Sequence, residues 1–175
     1  ISMAGGAFTA GFNVQGQTLQ IDTGVTVQGF GAFNQSSPAT IINNGSIINN
    51  AGVQGFTITA TGPGGFTNNG TLSIAGSINV GSTGNFTNNG TLSLGVVGAD
   101  TTSTLAITGN LVMGTGSILN LDLNGTFVSG SSTDFDRITV TGTASLNGIL
   151  NLAGVGRAGS YAVVNATGVS GNFTT

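Results

Sequence analysis

The sequence predicts an all-β chain folded as a single-domain parallel β-helix, a β-solenoid with rungs of roughly 20 residues. Three observations carry that prediction. The octapeptide Phe66-Thr-Asn-Asn-Gly-Thr-Leu-Ser73 returns unchanged as Phe86-Thr-Asn-Asn-Gly-Thr-Leu-Ser93, one 20-residue step later, and a weaker copy, Ile42-Asn-Asn-Gly-Ser-Ile47, precedes it by 25. A fixed period of this length marks units that cannot bury their own apolar face and must stack. Within each unit the apolar residues alternate with Thr and Ser, the period of a half-buried strand. Gly and Asn punctuate the unit every few residues, too often for long strands.

The unit 65–84 therefore reads as three short strands. Phe66 points inward and Asn68-Asn69-Gly70 turns the chain. Leu72 and Ile74 face inward, with Thr71 and Ser73 outward. Ala75-Gly76 bends, Ile78 and Val80 form the next inward pair, and Gly81-Ser82-Thr83-Gly84 closes the rung. Asn-Gly recurs at 44–45, 69–70, 89–90, 124–125 and 147–148. At rung spacing these pairs read as corners where glycine supplies φ > 0. The alternative is a set of hairpin turns, giving an antiparallel sandwich. Stacked corners place Asn68 against Asn88, which permits an amide ladder. The repeat residues expected to stack are thus Phe66, Asn68, Asn69, Gly70 and Leu72 under Phe86, Asn88, Asn89, Gly90 and Leu92.

Later units depart from the pattern. Leu92 and Leu94 match Leu72 and Ile74, but Leu105 and Ile107 arrive seven residues late, so Gly95–Ser103 reads as a loop. Leu111 and Met113 follow, then Leu119, Leu121 and Leu123, with Asn120 and Asp122 facing water. Thr126–Thr133 reads as a second loop. Ile138 and Val140, Leu146 to Leu152, and Tyr161 to Val164 are the last strands. The Gly- and Ala-rich start, Ile1–Phe12, suits a docking segment. The solenoid divides into N-terminal rungs or docking segment (1–39), regular rungs (40–133) and C-terminal rungs or cap (134–175), expected as about eight rungs and 40 Å of height.

Composition excludes several classes. Only 4% of the 175 residues are charged, the net charge is −3, and Lys, Glu, His, Cys and Trp are absent. Arg137 and Arg157 cannot make the cationic cluster that nucleic acid requires. No apolar run reaches the roughly 18 residues of a membrane span. Zero Cys excludes a disulfide scaffold and most zinc sites. No signal peptide is visible, and a start at Ile1 rather than Met fits a processed or partial product.

The only side-chain carboxylates are Asp22, Asp100, Asp122, Asp134 and Asp136. Asp134-x-Asp136-Arg137 could form an acid pair or take Ca²⁺, chemistry found on parallel β-helices. The plainer reading is that these acids hold the loop entering the Ile138 strand. Without His, Lys, Cys or Glu, a nucleophile–base pair has no donors. Gly62-Pro-Gly-Gly65 lacks the Lys and helix of a phosphate loop and reads as a corner. Asn85-Phe86-Thr87 and Asn165-Ala166-Thr167 fit the glycosylation triplet, which this composition also produces by chance. Thr57-x-Thr59-x-Thr61 and Thr139-x-Thr141-x-Thr143 line one outward face; that pattern suits ordered water and ice, or simple strand propensity. The aromatics are almost all Phe (8, 12, 30, 33, 56, 66, 86, 127, 135 and 173). Phe66 and Phe86, one period apart, read as an internal stack, with a sugar-stacking platform as the alternative.

Leu119-Asn-Leu-Asp-Leu123, Asp134-Phe-Asp-Arg-Ile-Thr-Val-Thr-Gly-Thr-Ala-Ser-Leu-Asn-Gly-Ile-Leu150, Gly159-Ser-Tyr-Ala-Val-Val164 and Gly168-Val-Ser-Gly-Asn-Phe173 together resemble the C-terminal part of Gram-negative autotransporter passenger domains. The Asn-Gly-Thr-Leu repeats are similar to those of filamentous-haemagglutinin-like adhesins. The resemblance spans roughly residues 40–175. It implies a right-handed parallel β-helix, export to the surface or exterior of a Gram-negative bacterium, and a role in adhesion, matrix or self-association. No translocating β-barrel follows before Thr175, so free filament subunits share the pattern equally well. The expectation is a non-catalytic structural subunit without cofactor or metal. Its partner is itself in a head-to-tail homopolymer, with host-surface or matrix polysaccharide as a further partner. The alternatives are an adhesin segment and an ice-binding or polysaccharide-active β-helix.

Overall fold

Twenty-one short strands and no helix make up the described residues of the computed structural model, which are 2–3, 11–49, 55–95, 102–123, 135–154 and 160–174. They fall into seven turns of three strands. The first turn holds β1 (Ser2–Met3), β2 (Gly11–Gln15) and β3 (Thr18–Ile21). The second holds β4 (Thr26–Gly29), β5 (Gly31–Ser37) and β6 (Thr40–Asn43), and the third β7 (Ser46–Asn49), β8 (Phe56–Thr59) and β9 (Phe66–Asn68). The fourth holds β10 (Thr71–Ile74), β11 (Gly76–Asn79) and β12 (Asn85–Asn88). The fifth holds β13 (Thr91–Leu94), β14 (Thr104–Thr108) and β15 (Asn110–Met113). The sixth holds β16 (Ile118–Asp122), β17 (Arg137–Val140) and β18 (Thr143–Leu146). The last holds β19 (Ile149–Ala153), β20 (Val164–Asn165) and β21 (Gly168–Gly171).

Each strand pairs with the strand three places on, so every turn adds one strand to each of three seven-stranded sheets. Sheet A starts at β1, sheet B at β2 and sheet C at β3. All the strand pairings are parallel, which excludes the hairpin alternative. The fold is the parallel β-helix that the repeat predicts. It has seven rungs rather than about eight, and about 34 Å of height at about 4.8 Å per rung. The reason is step length. Along sheet C the register advances from Leu19 to Ile41, Phe66, Phe86, Leu111, Ala144 and Val169, and only the step between the two octapeptides is as short as 20 residues.

The octapeptides lie on adjacent rungs: Phe66 pairs with Phe86 in sheet C, and Leu72 with Leu92 in sheet A. Side chains of like position form columns along the axis. Val27, Ile47, Leu72, Leu92 and Leu119 make one such column, all nearly or wholly buried. Phe66 and Phe86 stack with ring centres 5.0 Å apart and planes 10° from parallel, inside the core as expected. Phe56 is followed in its column by Gly76 and then Leu105; a Cβ on Gly76 would lie 2.3 Å from the Phe56 carbonyl oxygen, so the close approach of the two backbones requires glycine there.

Other expectations are corrected in detail. Leu105 pairs with Gly76, and Ile107 with Ile78, so the insertion shifts the register by nine residues rather than seven. The two-residue difference arises because Leu105 takes the position of Gly76 rather than that of Ile78. Of the loop itself, residues 96–101 lie outside the described residues, as does the whole segment 124–134. Ser73, expected to face water, is 1% exposed, because its hydroxyl donates to the Gly95 carbonyl at 2.9 Å. Tyr161 to Val163 is not strand; only Val164–Asn165 pairs in sheet B.

A further correction concerns the Asn-Gly corners. Gly45, Gly70 and Gly90 do not adopt positive φ, although Gly148 does, at 78°. They are required for closeness instead. A Cβ on Gly70 would lie 2.0 Å from the Gly45 carbonyl oxygen, and one on Gly90 would lie 2.1 Å from that of Gly70. Gly70 and Gly90 each sit against the glycine carbonyl of the rung before, and Gly45 against the Val25 carbonyl. The contact is used, because Thr71 N–H donates to the Gly45 carbonyl and Thr91 N–H to that of Gly70, both at 2.9 Å.

Candidate functional site

Beside the corner glycines run two files of asparagine. The inner file, Asn43, Asn68 and Asn88, is fully buried. Asn43 Nδ2 donates to Asn68 Oδ1 at 2.7 Å, and Asn68 Nδ2 donates to Asn88 Oδ1 at 2.6 Å. The second Nδ2 hydrogen serves backbone carbonyls of the corner, Thr71 for Asn43 and Thr91 for Asn68. The outer file, Asn44, Asn69 and Asn89, is the solvent-side counterpart. Asn69 Nδ2 donates to Asn44 Oδ1 at 2.9 Å, and Asn89 Nδ2 to Asn69 Oδ1 at 3.0 Å. Buried amides cost several kcal/mol unless bonded. Among the described residues no buried side-chain polar atom lacks a partner. All ten predicted repeat residues therefore come together along one edge of the stack. The ladder ends where the sequence repeat ends, since Met113 follows Asn88.

The acidic candidate resolves differently. Asp134 lies outside the described residues. Asp136 is 1% exposed and holds two distant segments: Oδ1 accepts the Ser103 N–H at 2.7 Å and Oδ2 the Asp122 N–H at 2.9 Å. Its own N–H donates to the Asp122 carbonyl at 2.9 Å. Arg137 Nε donates to Thr104 Oγ1 on the neighbouring strand. This is the plainer reading of the Asp-x-Asp-Arg segment, a clasp at the entry to β17. Among the described residues, no group of three His, Cys, Asp or Glu could hold a metal ion.

Burial raises the Asp136 pKa from 3.8 to about 6, against the lowering effect of its two N–H partners; the Asp122 charge adds to the rise. The sign follows by linkage. Between pH 4 and 6 the folded chain binds more protons at this group than the unfolded chain, so stability falls as pH rises through that window. The expected size is on the order of 1–3 kcal/mol. Thermal unfolding followed by circular dichroism should thus show a midpoint several degrees higher at pH 4 than at pH 7. Asp136→Asn should flatten that difference. A wild-type midpoint that rises toward pH 7 would contradict the assignment.

Thr57, Thr59 and Thr139 lie on the outward face of sheet B, but Thr143 opens β18 in sheet C, so the second run turns a corner and does not share one face. Thr57 pairs with Ser77, Ser77 with Ala106 and Ala106 with Thr139, so the file interleaves Thr with smaller and different residues. Near its C-terminal end the face is dished, forming a depression of about 310 Å³ around Ala106, Thr108, Thr139, Thr141 and Thr167. A dished, interrupted array matches a flat crystal plane poorly.

The remaining feature is the C-terminal rung. Four large apolar side chains are exposed among the described residues, and three of them, Ile149 (43%), Leu152 (52%) and Val169 (54%), belong to this rung. Leu152 stacks on Leu121, and Val169 on Ala144. Both occupy core columns and are bare because no described residue lies on them. Val163 and Phe173, the inward positions expected in the last strands, are partly buried against the core but lie outside strands. Sequence reasoning missed Leu152 and Val169, since a core-facing residue on the last rung has the same alternation as one in the middle.

The fold and these sites define a parallel β-solenoid stabilised by apolar columns and amide ladders, with an apolar terminal rung. Comparison with known proteins gave no matching family model, no similar curated protein and no similar solved structure.

Proposed function

We propose that this chain is an extracellular, non-catalytic structural subunit that stacks end to end into filaments of a cell-surface or matrix fibre. The observation that supports the reading is the bare C-terminal rung. Core columns stop at exposed Leu152 and Val169, and strands β19 to β21 offer an edge for parallel strand addition. Sheet edges are commonly blunted by charge, whereas only 4% of this chain is charged. A contact between two different faces of one subunit generates an open fibre rather than a closed ring. The passenger and adhesin resemblance supports a Gram-negative surface or exterior as the place of action, with polysaccharide as a further partner.

Electron microscopy and sedimentation of the purified 175-residue chain test the reading. Filaments are expected, and because burial and backbone hydrogen bonds carry the contact, salt at about 1 M should barely weaken them. Leu152→Lys with Val169→Lys should leave the fold intact, both sites being about half exposed, and abolish the filaments. A wild-type chain that stays monomeric at high concentration would instead favour an anchored adhesin segment.

A further inference from the structure

We infer that the surface which covers the C-terminal rung is the N-terminal rung of a second copy, joined in one register: β2 adds to β20 and β3 adds to β21. The inference rests on the filament reading above and specifies its interface.

The first support is uncovered apolar surface at both ends. The column of sheet B from Phe12 runs through Phe33, Ile58, Ile78 and Ile107 to Val140; Ala166, the residue after the pair of Thr139 with Asn165, packs partly buried against the core. The column from Leu19 runs out at Val169. The corner column starts at Ile21, and the last rung places Gly171 after Leu146. Phe12 and Leu19 are themselves only partly buried. A second copy added in register would set Phe12 on Ala166, Leu19 on Val169 and Ile21 on Gly171. Partly uncovered apolar side chains of one end would then be covered by those of the other.

The second support is phase. After β21 the chain returns to sheet A, where Thr174 bridges to Ile149 in parallel. Thr174 N–H donates to the Gly148 carbonyl at 2.7 Å. Ile149 lies in the file of Ile118, Thr91, Thr71, Ser46 and Thr26, so Thr174 extends that file by one rung. In β1, Ser2 lies in the file of Gln28 and Met3 in that of Gly29. The two ends of the described chain thus reach the same sheet two register positions apart. A second copy in this register would bring its β1 to the sheet that Thr174 enters, without rotation of one stack against the other.

The third support is charge. The described residues of the last rung, 149–154 and 160–174, contain no Asp, Glu, Lys or Arg, and neither do β1, β2 and β3. Among the described residues the strands that would pair carry no charged side chain to desolvate.

Cysteine cross-linking tests the register, and the chain has no native Cys to confuse it. Gln20 and Ser170 are both exposed. In the inferred register they face each other across the junction at about 4.8 Å between Cα atoms, within the usual span of a disulfide. Mild oxidation of the Gln20→Cys/Ser170→Cys protein should give a ladder of multiples of 17.1 kDa that collapses on reduction. The Thr18→Cys/Ser170→Cys protein, displaced two positions along the strand to about 8 Å, should remain mostly uncross-linked. Single-cysteine proteins should give dimers at most. Filaments with no 20–170 ladder, or with equal 18–170 linkage, would overturn the register and leave the filament reading standing. Absence of both filaments and ladder would overturn both.

Discussion

Leu92→Asp is expected to cost about 5 kcal/mol or more and to lower the unfolding midpoint by at least about 10 °C. Leu92 is fully buried between Leu72 and Leu119 in the apolar column of sheet A. The substitution removes most of a leucine's burial and leaves a carboxylate with no cation within the column. Its neighbour Thr91 is half-buried on the outward face of the same strand. Thr91→Asp should cost less than about 1 kcal/mol, since its carboxylate reaches water. Thermal melts of the two variants decide the matter. Equal losses would mean that the inward and outward faces had been exchanged, a slip of one residue in register.

Gly70→Ala is expected to cost at least about 3 kcal/mol, for a single added methyl group. The new Cβ would lie 2.0 Å from the Gly45 carbonyl oxygen and 2.9 Å from the Asn44 carbonyl carbon. Both are backbone atoms of the preceding rung, so relief requires that two rungs move apart. Separation would stretch the 2.9 Å bond from Thr71 N–H to the Gly45 carbonyl and the amide bonds beside it. Gly24→Ala is the control. Gly24 has φ 82°, and a Cβ added there would meet nothing within 4 Å, so only local strain of about 1 kcal/mol opposes it. Similar melts for the two variants would show that contact between rungs does not hold glycine at the corner.

The sequence carried the periodic part of this fold and little of the rest. Phe66 on Phe86, Leu72 on Leu92 and Asn68 on Asn88 were legible because identical residues recur at one spacing, and stacking identical residues is what the spacing is for. The role of Gly70 was not, since torsion and proximity select the same residue and only coordinates separate them. The register of Leu105 against Gly76 was hidden by an insertion, which erases the phase that periodicity supplies. Asp136 reaches Ser103 and Asp122, 33 and 14 residues away, and no local pattern announces partners at those distances. The end face is the extreme case. Leu152 alternates like any core leucine, and its exposure depends on what lies above it.

The two asparagine files run in opposite senses. In the inner file each amide donates toward the C-terminal end, from Asn43 to Asn68 to Asn88. In the outer file each donates toward the N-terminal end, from Asn89 to Asn69 to Asn44. Hydrogen-bonded amides in a row polarise one another and add their dipoles. Two neighbouring rows of equal length and opposite sense largely cancel. Each row keeps the mutual strengthening while the stack accumulates little lengthwise dipole from them. A fibre of such subunits would have a chemical direction, set by which rung faces forward, to which these two files add little lengthwise dipole however many copies joined it.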